Sequence, residues 1–404
     1  MKRKLLSLAA VAACAFAGSA QAQISDGIVK IGVLNDMSGL YSDITGPGSV
    51  TAARMAVEDY IKATKSTLKV EIVGADHQNK PDVGSNVARQ WFDTDKVDMI
   101  ADVPTSSVGL AVAKIASDKG KLHVNSGSAT ADLSGKACNA NTIHWAYDTW
   151  MLANGTGKAI VKSGGDTWFF LTADYAFGHA LERDTEAVVL KNGGKVVGKV
   201  RTPFPTQDFS SFLLQAQASK AKIIGLANAG GDTTNSIKQA AEFGITKGGQ
   251  NLAGMLVFLP DVHSLGLNIA QGLMLTETFY WDLNDNTRAF TKRFAAANGG
   301  KYPSMVQAGV YSSVIHYLKA VDAAKTDDGT KVAAKMKELP TDDPLFGKGS
   351  VRADGRKLHP AYLFQVKKPS ESKGPYDYYK LVATIPANEA FRPLAESECP
   401  LVKK

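Results

Sequence analysis

Hydroxyl side chains recur where two successive apolar runs give out: Ser106 and Ser107 follow the run 97–101, and Ser128 and Thr130, flanking Ala129, follow 122–124. Each run reads as a strand and each hydroxyl stands near the start of a following helix, so side-chain O–H and free backbone N–H groups converge at one edge. Such neutral donors suit a carboxylate. Helix N-termini favour negative charge, and a hydrogen bond to a charged group contributes about 1.5–3 kcal/mol. Helix capping uses the same residue types, and the recurrence at two consecutive strand ends is what favours a binding site. Aromatic side chains gather at the same edges. Tyr41, Tyr147, Tyr175 and Phe177 fall in loops and are candidate ligand contacts, as is Tyr280 in the run 272–281, whereas Phe258 falls within the apolar run 255–259 and reads as core.

Other chemistries lack a local signal. The seven histidines, at 77, 123, 144, 179, 263, 316 and 359, never pair at i,i+4, and none neighbours a second ligand at zinc spacing. There is no G-x-S-x-G turn and no P-loop. Gly46-Pro47-Gly48 superficially resembles a dinucleotide fingerprint, but such a turn needs glycines directly after the strand and a third glycine where Thr51 stands. No cofactor or metal is expected.

The candidate residues must be held by repeated strand–helix units. The opening unit is a β-branched run at 28–34, a polar loop containing Tyr41 and a helix beyond Gly48, with Ser49 placed to cap it. Strands at 69–73, 97–101 and 122–124 continue the series, each followed by helical spacing. Around 141–150 the rhythm pauses, and a second series begins with strands at 168–171, 195–200, 223–226 and 255–259. A further strand at 272–281, helices at 286–298 and 303–325, and two strands at 362–366 and 378–382 complete the chain. The fold class is therefore α/β, with two doubly wound parallel units whose ligands lie beyond the C-terminal strand ends.

Lys2, Arg3 and Lys4, the apolar stretch 5–18 and Ala20-Gln21-Ala22 form a secretory signal peptide over residues 1–22, cleaved before Gln23. Val11-Ala12-Ala13-Cys14 offers an alternative lipoprotein-type site. No later apolar run reaches the roughly 18 residues of a membrane helix. Without the three basic residues of the signal, 43 Lys and Arg face 39 Asp and Glu, a net charge of +4 with mixed distribution and no basic block, which argues against nucleic acid as a partner. Cys138 and Cys399 remain in an oxidising compartment, where a disulfide would tether the C-terminal tail; two unpaired thiols are the alternative.

Three stretches in this order resemble the substrate-binding proteins of ABC importers, specifically the branched-chain amino-acid (Leu/Ile/Val) binding group with the type I periplasmic fold. They are Ile31-Gly32-Val33-Leu34 with Ser38-Gly39-Leu40-Tyr41, then the run 126–133 from Ser126 to Leu133, then Asp174-Tyr175-Ala176-Phe177-Gly178. The resemblance implies two lobes joined by three crossovers, 23–146 with 276–346 and 147–275 with 347–404, closing on a ligand in the cleft. It implies a periplasmic monomer that hands a small carboxylate to a membrane permease and catalyses nothing. Ser106 or Ser107 with Ser128, Ala129 and Thr130 would hold the carboxylate, Tyr41 and Phe177 would cover it, and Asn228 and Asp261 would approach from the second lobe. Amino-acid binders of the family usually place a glutamate opposite the α-ammonium, near where the shorter Asp261 stands. If Asp261, Glu277 or Asp76 points into the cleft, an aliphatic amino acid is expected, and the family favours it; if none does, an aryl carboxylate fits. A sensory ligand-binding protein shares every one of these features.

Overall fold

The computed structural model of the protein describes residues 24–403, so the signal peptide expected over 1–22 lies outside the described residues. Strand β1 (Val29–Asn35) is buried on both faces apart from half-buried Lys30, as its β-branched run requires of a central parallel strand. Gly32 makes room for a neighbouring helix: a Cβ there would lie 2.4 Å from the Trp91 ring. Alternation then continues through α1 (Gly46–Thr64), β2 (Val70–Asp76), α2 (Pro81–Asp93), β3 (Met99–Asp102), α3 (Ser106–Asp118), β4 (Leu122–Asn125) and β5 (Thr142–His144). The five strands are parallel in the order β2-β1-β3-β4-β5, with Ile31 paired to Ile72 on one side and to Met99 on the other. Helix α1 starts at Gly46, earlier than expected, so Ser49 lies inside its first turn and does not cap it.

After residues 145–148 cross over, α4 (Thr149–Leu152) and α5 (Lys158–Lys162) lead into the second lobe. It contains β6 (Thr167–Ala173), α6 (Ala176–Lys191), β7 (Lys195–Thr202), α7 (Ser210–Ala218), β8 (Ile223–Ala227), α8 (Gly230–Glu242) and β9 (Asn251–Gly254), a parallel sheet ordered β7-β6-β8-β9. Of the apolar run 255–259, read as a strand, residues 255–258 are a buried loop that follows β9, and Leu259 opens the next helix. The loop's side chains fill space beyond the strand ends, which gives it the hydrophobicity of a strand without the ladder.

Short helices α9 (Leu259–Leu265) and α10 (Leu267–Ala270) precede β10 (Met274–Glu277), only part of the expected 272–281 strand. Helices α11 (Asp285–Ala297), α12 (Met305–Ala324) and α13 (Gly329–Glu338) follow. Helix α12 is buried over most of its circumference and returns to α1, where Tyr311 Oη donates to Asp59 at 2.7 Å. Its start is fixed by Ser304, whose hydroxyl accepts from Val306 and Gln307 N–H while Gln307 accepts from Ser304 N–H. The chain closes with β11 (Thr341–Asp343), β12 (Gly347–Val351), β13 (Lys357–Leu358), β14 (Ala361–Val366) and β15 (Tyr379–Ile385). Strand β14 lies antiparallel between β10 and β15. Residues 347–358, assigned above to the second lobe, pair with β11 and bridge β5 through Arg356 and His144.

Cys138 and Cys399 form a disulfide with Cα atoms 5.5 Å apart across 261 residues of chain. It fixes the tail, which also accepts from Asn154 Nδ2 at Glu389 O, 2.9 Å. Replacing both cysteines by serine is expected to lower unfolding free energy by about 2–4 kcal/mol, through freer motion of the unfolded chain. Urea denaturation of the two proteins checks it; equal midpoints would show that the tail is held by packing alone.

Candidate ligand-binding site

In each sheet the strand order reverses beside one strand, between β1 and β3 in the first and between β6 and β8 in the second. A crevice opens at such a reversal, beyond the carboxyl ends of the strands. The two crevices face each other and line one cavity. The β1–α1 loop supplies Tyr41, Ile44 and Thr45, the loop after β3 supplies Pro104, and the loop after β4 supplies Gly127 and Ala129. From the other side come Tyr175 and Phe177 after β6, Ala229 after β8, and Leu256 and Phe258 after β9. Tyr147 of the crossover and Val306 at the start of α12 complete the wall.

The cleft is closed. Tyr41 Oη lies 2.6 Å from Tyr175 Oη across the lobes, and Gly231 N–H donates to Leu40 O at 3.3 Å. Gly230 is required at this approach: its φ is +54°, and a Cβ would stand 2.6 Å from Leu40 O. Tyr147 Oη donates to Gly127 O at 2.7 Å and its ring meets Phe258 edge-on at 6.0 Å. Among the described residues, no Asp, Glu, Lys or Arg lines the cavity. Burial pushes the Tyr41, Tyr147 and Tyr175 hydroxyls well above the ordinary phenol range, so they stay neutral donors. Backbone supplies a further donor. In the loop after β4, Ser128 N–H donates to Asn125 Oδ1, Thr130 N–H to Ser106 Oγ and Ala131 N–H to Thr149 Oγ1, while Ala129 N–H has no acceptor among the described residues.

Of the residues singled out in the sequence, the cavity brings together Tyr41, Ala129, Tyr147, Tyr175 and Phe177. The hydroxyl set stands one layer behind. Ser128 Oγ donates to Val103 O, Ser106 Oγ receives Thr130 N–H, Thr130 Oγ1 receives Asp132 N–H, and Ser107 is half-buried in the first turn of α3. Asn228 is turned into α8, accepting from Thr233 Oγ1 at 2.7 Å and donating to Ser236 Oγ at 3.2 Å. Asp261 caps α9 by accepting Phe258 N–H at 2.9 Å. Tyr280 lies in a separate aromatic cluster, 4.8 Å from Tyr379, and donates to Tyr376 O. The lining residues that the sequence reading missed are chiefly Leu256 and Phe258, hidden in the run read as a strand. Gly254 immediately before it was the available sign that the strand ends there.

A family model described as periplasmic binding protein matches residues 28–374. The chain belongs to the periplasmic binding proteins. This is a family of substrate-binding transport components, not of enzymes, whose members bind small ligands and work with membrane permeases. Among solved members, a periplasmic binding protein from Burkholderia mallei is 51% identical, with a TM-score of 0.91 over 94% of this chain and 100% of that one. A branched chain amino acid ABC transporter periplasmic ligand-binding protein from Burkholderia xenovorans is 42% identical, with a TM-score of 0.82 over 93% of this chain and 100% of that one. A curated relative, a Leu/Ile/Val-binding protein homolog of Brucella melitensis, is 24% identical over 82% of this chain and 84% of its own length. A solute binding protein from R. palustris, solved in complex with benzoate, shares the fold at 20% identity, with a TM-score of 0.79 over 93% of this chain and 100% of that one. In this periplasmic binding protein, no helix of the described residues is long and apolar enough to cross a membrane.

Buried acids surround the cavity without entering it. Burial pushes the Asp102 carboxyl up from 3.8 to about 7, although Asn35 Nδ2 donates to it at 2.7 Å. The unfolded chain ionises this group near pH 4, so between pH 4 and 7 the folded state holds the extra proton and stability falls as pH rises, by up to about 4 kcal/mol. Asp102→Asn is expected to flatten that fall. Urea midpoints measured between pH 4.5 and 8 check it; an unchanged slope would mean that Asp102 ionises in the fold as freely as in water.

Proposed function

We propose that this chain is the periplasmic substrate-binding component of an ABC importer and that its ligand is an aryl or similarly hydrophobic carboxylate. The observation that carries the reading is the lining itself: aromatic and aliphatic, with neutral hydroxyls, the unengaged Ala129 N–H and, among the described residues, no charged side chain. An α-ammonium needs a carboxylate opposite it, since a buried unpaired charge is costly. The three acids weighed for that role have other partners. Asp261 accepts Phe258 N–H, Glu277 accepts Tyr379 Oη at 2.8 Å, and Asp76 accepts Ser38 Oγ at 2.7 Å. None lines the cavity. An aryl carboxylate needs no such partner; its ring would lie among Tyr147, Phe177 and Phe258, and its carboxylate would take the Ala129 N–H. The benzoate-bound relative supports the ligand class. A branched-chain amino acid is the second reading, supported by the description of the Burkholderia xenovorans protein.

The lobe division of the sequence reading, 23–146 with 276–346 and 147–275 with 347–404, remains our proposal, with 347–358 moved to the first lobe because of its pairing. We also propose a monomer, processed after residue 22. Ser106, Ser128 and Thr130 act by holding the loop that presents Ala129.

A thermal-shift screen of the mature protein tests the ligand class, since ligand at 100-fold over Kd adds about 2.7 kcal/mol to stability. Benzoate and 4-hydroxybenzoate are expected to raise the melting temperature and leucine to leave it unchanged. Ser128→Ala is expected to weaken the aryl carboxylate about tenfold, or ~1.4 kcal/mol, by releasing the loop. Stabilisation by leucine that Asp261→Asn abolishes would overturn the aryl-carboxylate reading.

A further inference from the structure

One aromatic side chain at the cleft touches both lobes without lining the cavity. Phe204 sits in the loop between β7 and α7, half-buried between exposed Pro203 and Pro205. Its ring stacks on Tyr175 with centroids 4.2 Å apart and planes 26° apart, and on Tyr41 at 5.9 Å and 28°. Tyr41 and Tyr175 both line the cavity and Phe204 does not, so the ring backs the two tyrosines from outside the lining. The loop is anchored within the second lobe alone. Thr206 N–H donates to Asp232 at 3.1 Å, Phe209 N–H to Gln239 at 2.7 Å, and Gln239 Nε2 returns to Gln207 O at 2.8 Å.

The geometry points to Phe204 as the residue that locks the closed cleft and sets how long a ligand stays. When the lobes part, Phe204 and Tyr175 remain together on the second lobe, and only the contacts to Tyr41 of the first are lost. The stack on Tyr41 therefore belongs to the closed state alone and shifts the equilibrium toward it. The pair at 4.2 Å is a plate built in advance, onto which the Tyr41 ring docks as its hydroxyl meets Tyr175. Contacts absent from the open form slow release more than they speed capture, so the effect falls on dissociation. Phe204 is a positioning residue, acting on the ligand through the two tyrosines. The inference rests on the role of the chain as a closing binding protein and not on which carboxylate it takes.

Hydrogen exchange of the full mature chain, without ligand, decides it. Peptides covering 38–44 and 228–234 report the Leu40–Gly231 contact between lobes. Phe204→Ala is expected to exchange about tenfold faster in both, with strands β1 and β6 unchanged and Phe204→Tyr restoring the wild-type rate. Should the alanine variant fold poorly, Phe204→Leu keeps the bulk, loses the ring face and is expected to show the same acceleration. Unchanged exchange in the two peptides overturns the proposal, and so does equal acceleration throughout β6, which would mean that Phe204 only supports the second lobe. In a second arm, benzoate and leucine serve as probes. Whichever slows exchange in wild type is expected to leave Phe204→Ala about tenfold faster in stopped flow, with association within twofold; a change confined to association overturns the lock. If neither probe slows exchange, the proposed ligand classes fail, and the ligand-free comparison still judges Phe204.

Discussion

The guanidinium of Arg356 is the contact on which the relation between the lobes depends. It is 1% exposed, and it donates to the carbonyls of Trp145, Tyr147 and Lys357, with Asp148 at 3.4 Å. Residues 145–148 are the first crossover, so one buried cation fixes the direction in which the chain leaves the first lobe and the position of Tyr147 at the cavity. The same group lies 4.4 Å from the centre of the Phe391 ring, which brings the C-terminal tail to this point. Burial lowers its pKa to about 10, still well above neutrality. Removing one member of such a buried set leaves an uncompensated charge, at a cost of about 3–5 kcal/mol. Its neighbour Lys357 is also buried, 3.6 Å from Asp343 and above the rings of Trp145 and Phe346. Charge is thus concentrated behind the crossover, where it organises backbone, and kept out of the cavity, where it would choose the ligand.

That separation bears on closure. A ligand shifts the lobes only by the difference in its affinity for the two states. A neutral, enclosed cavity can supply such a difference to an apolar anion. Ring contacts across the cleft form only on closing, and the removal of water would strengthen a hydrogen bond from the Ala129 N–H to a bound carboxylate. A zwitterion would gain the same contacts at its carboxylate end and leave its ammonium facing tyrosine rings and aliphatic side chains.

Much of the frame was legible in the residues. The run 28–34, with β-branched residues and no alternation, has the composition of a strand covered on both faces, and β1 is one. The loop tyrosines at 41, 147 and 175 were legible as candidates from their place between a strand end and a helix, where core packing was as open a reading as ligand contact, and all three line the cavity. What could not be read was direction. Ser128 and Ala129 are adjacent, and a one-residue difference in a tight loop decides which faces the cavity; here the serine turns to Val103 O and the alanine lines the wall. Asn228 has the polarity of a ligand contact, yet α8 begins two residues later and takes its amide for Thr233 and Ser236. Hydrophobicity misled in the opposite sense at 255–258, where a loop whose Leu256 and Phe258 line the cavity is as apolar as a strand.

Asp261 bears directly on the proposed ligand class. The resemblance places an acid near this position, and an acid is present. Its carboxylate closes a capping arrangement at the start of α9, accepting from the backbone of Phe258, the residue whose ring faces the cavity. Turning Asp261 toward a ligand would release that N–H and loosen the loop that carries Leu256 and Phe258. A glutamate has one more methylene with which to reach past the helix start, whereas an aspartate can accept the first-turn N–H with little freedom left over. Under the aryl-carboxylate reading, the shorter side chain serves the loop where a glutamate would serve recognition, and the wall it supports is aromatic. Ligand class in such a cleft is set less by which residue types occupy the strand ends than by which of them the local backbone has already engaged.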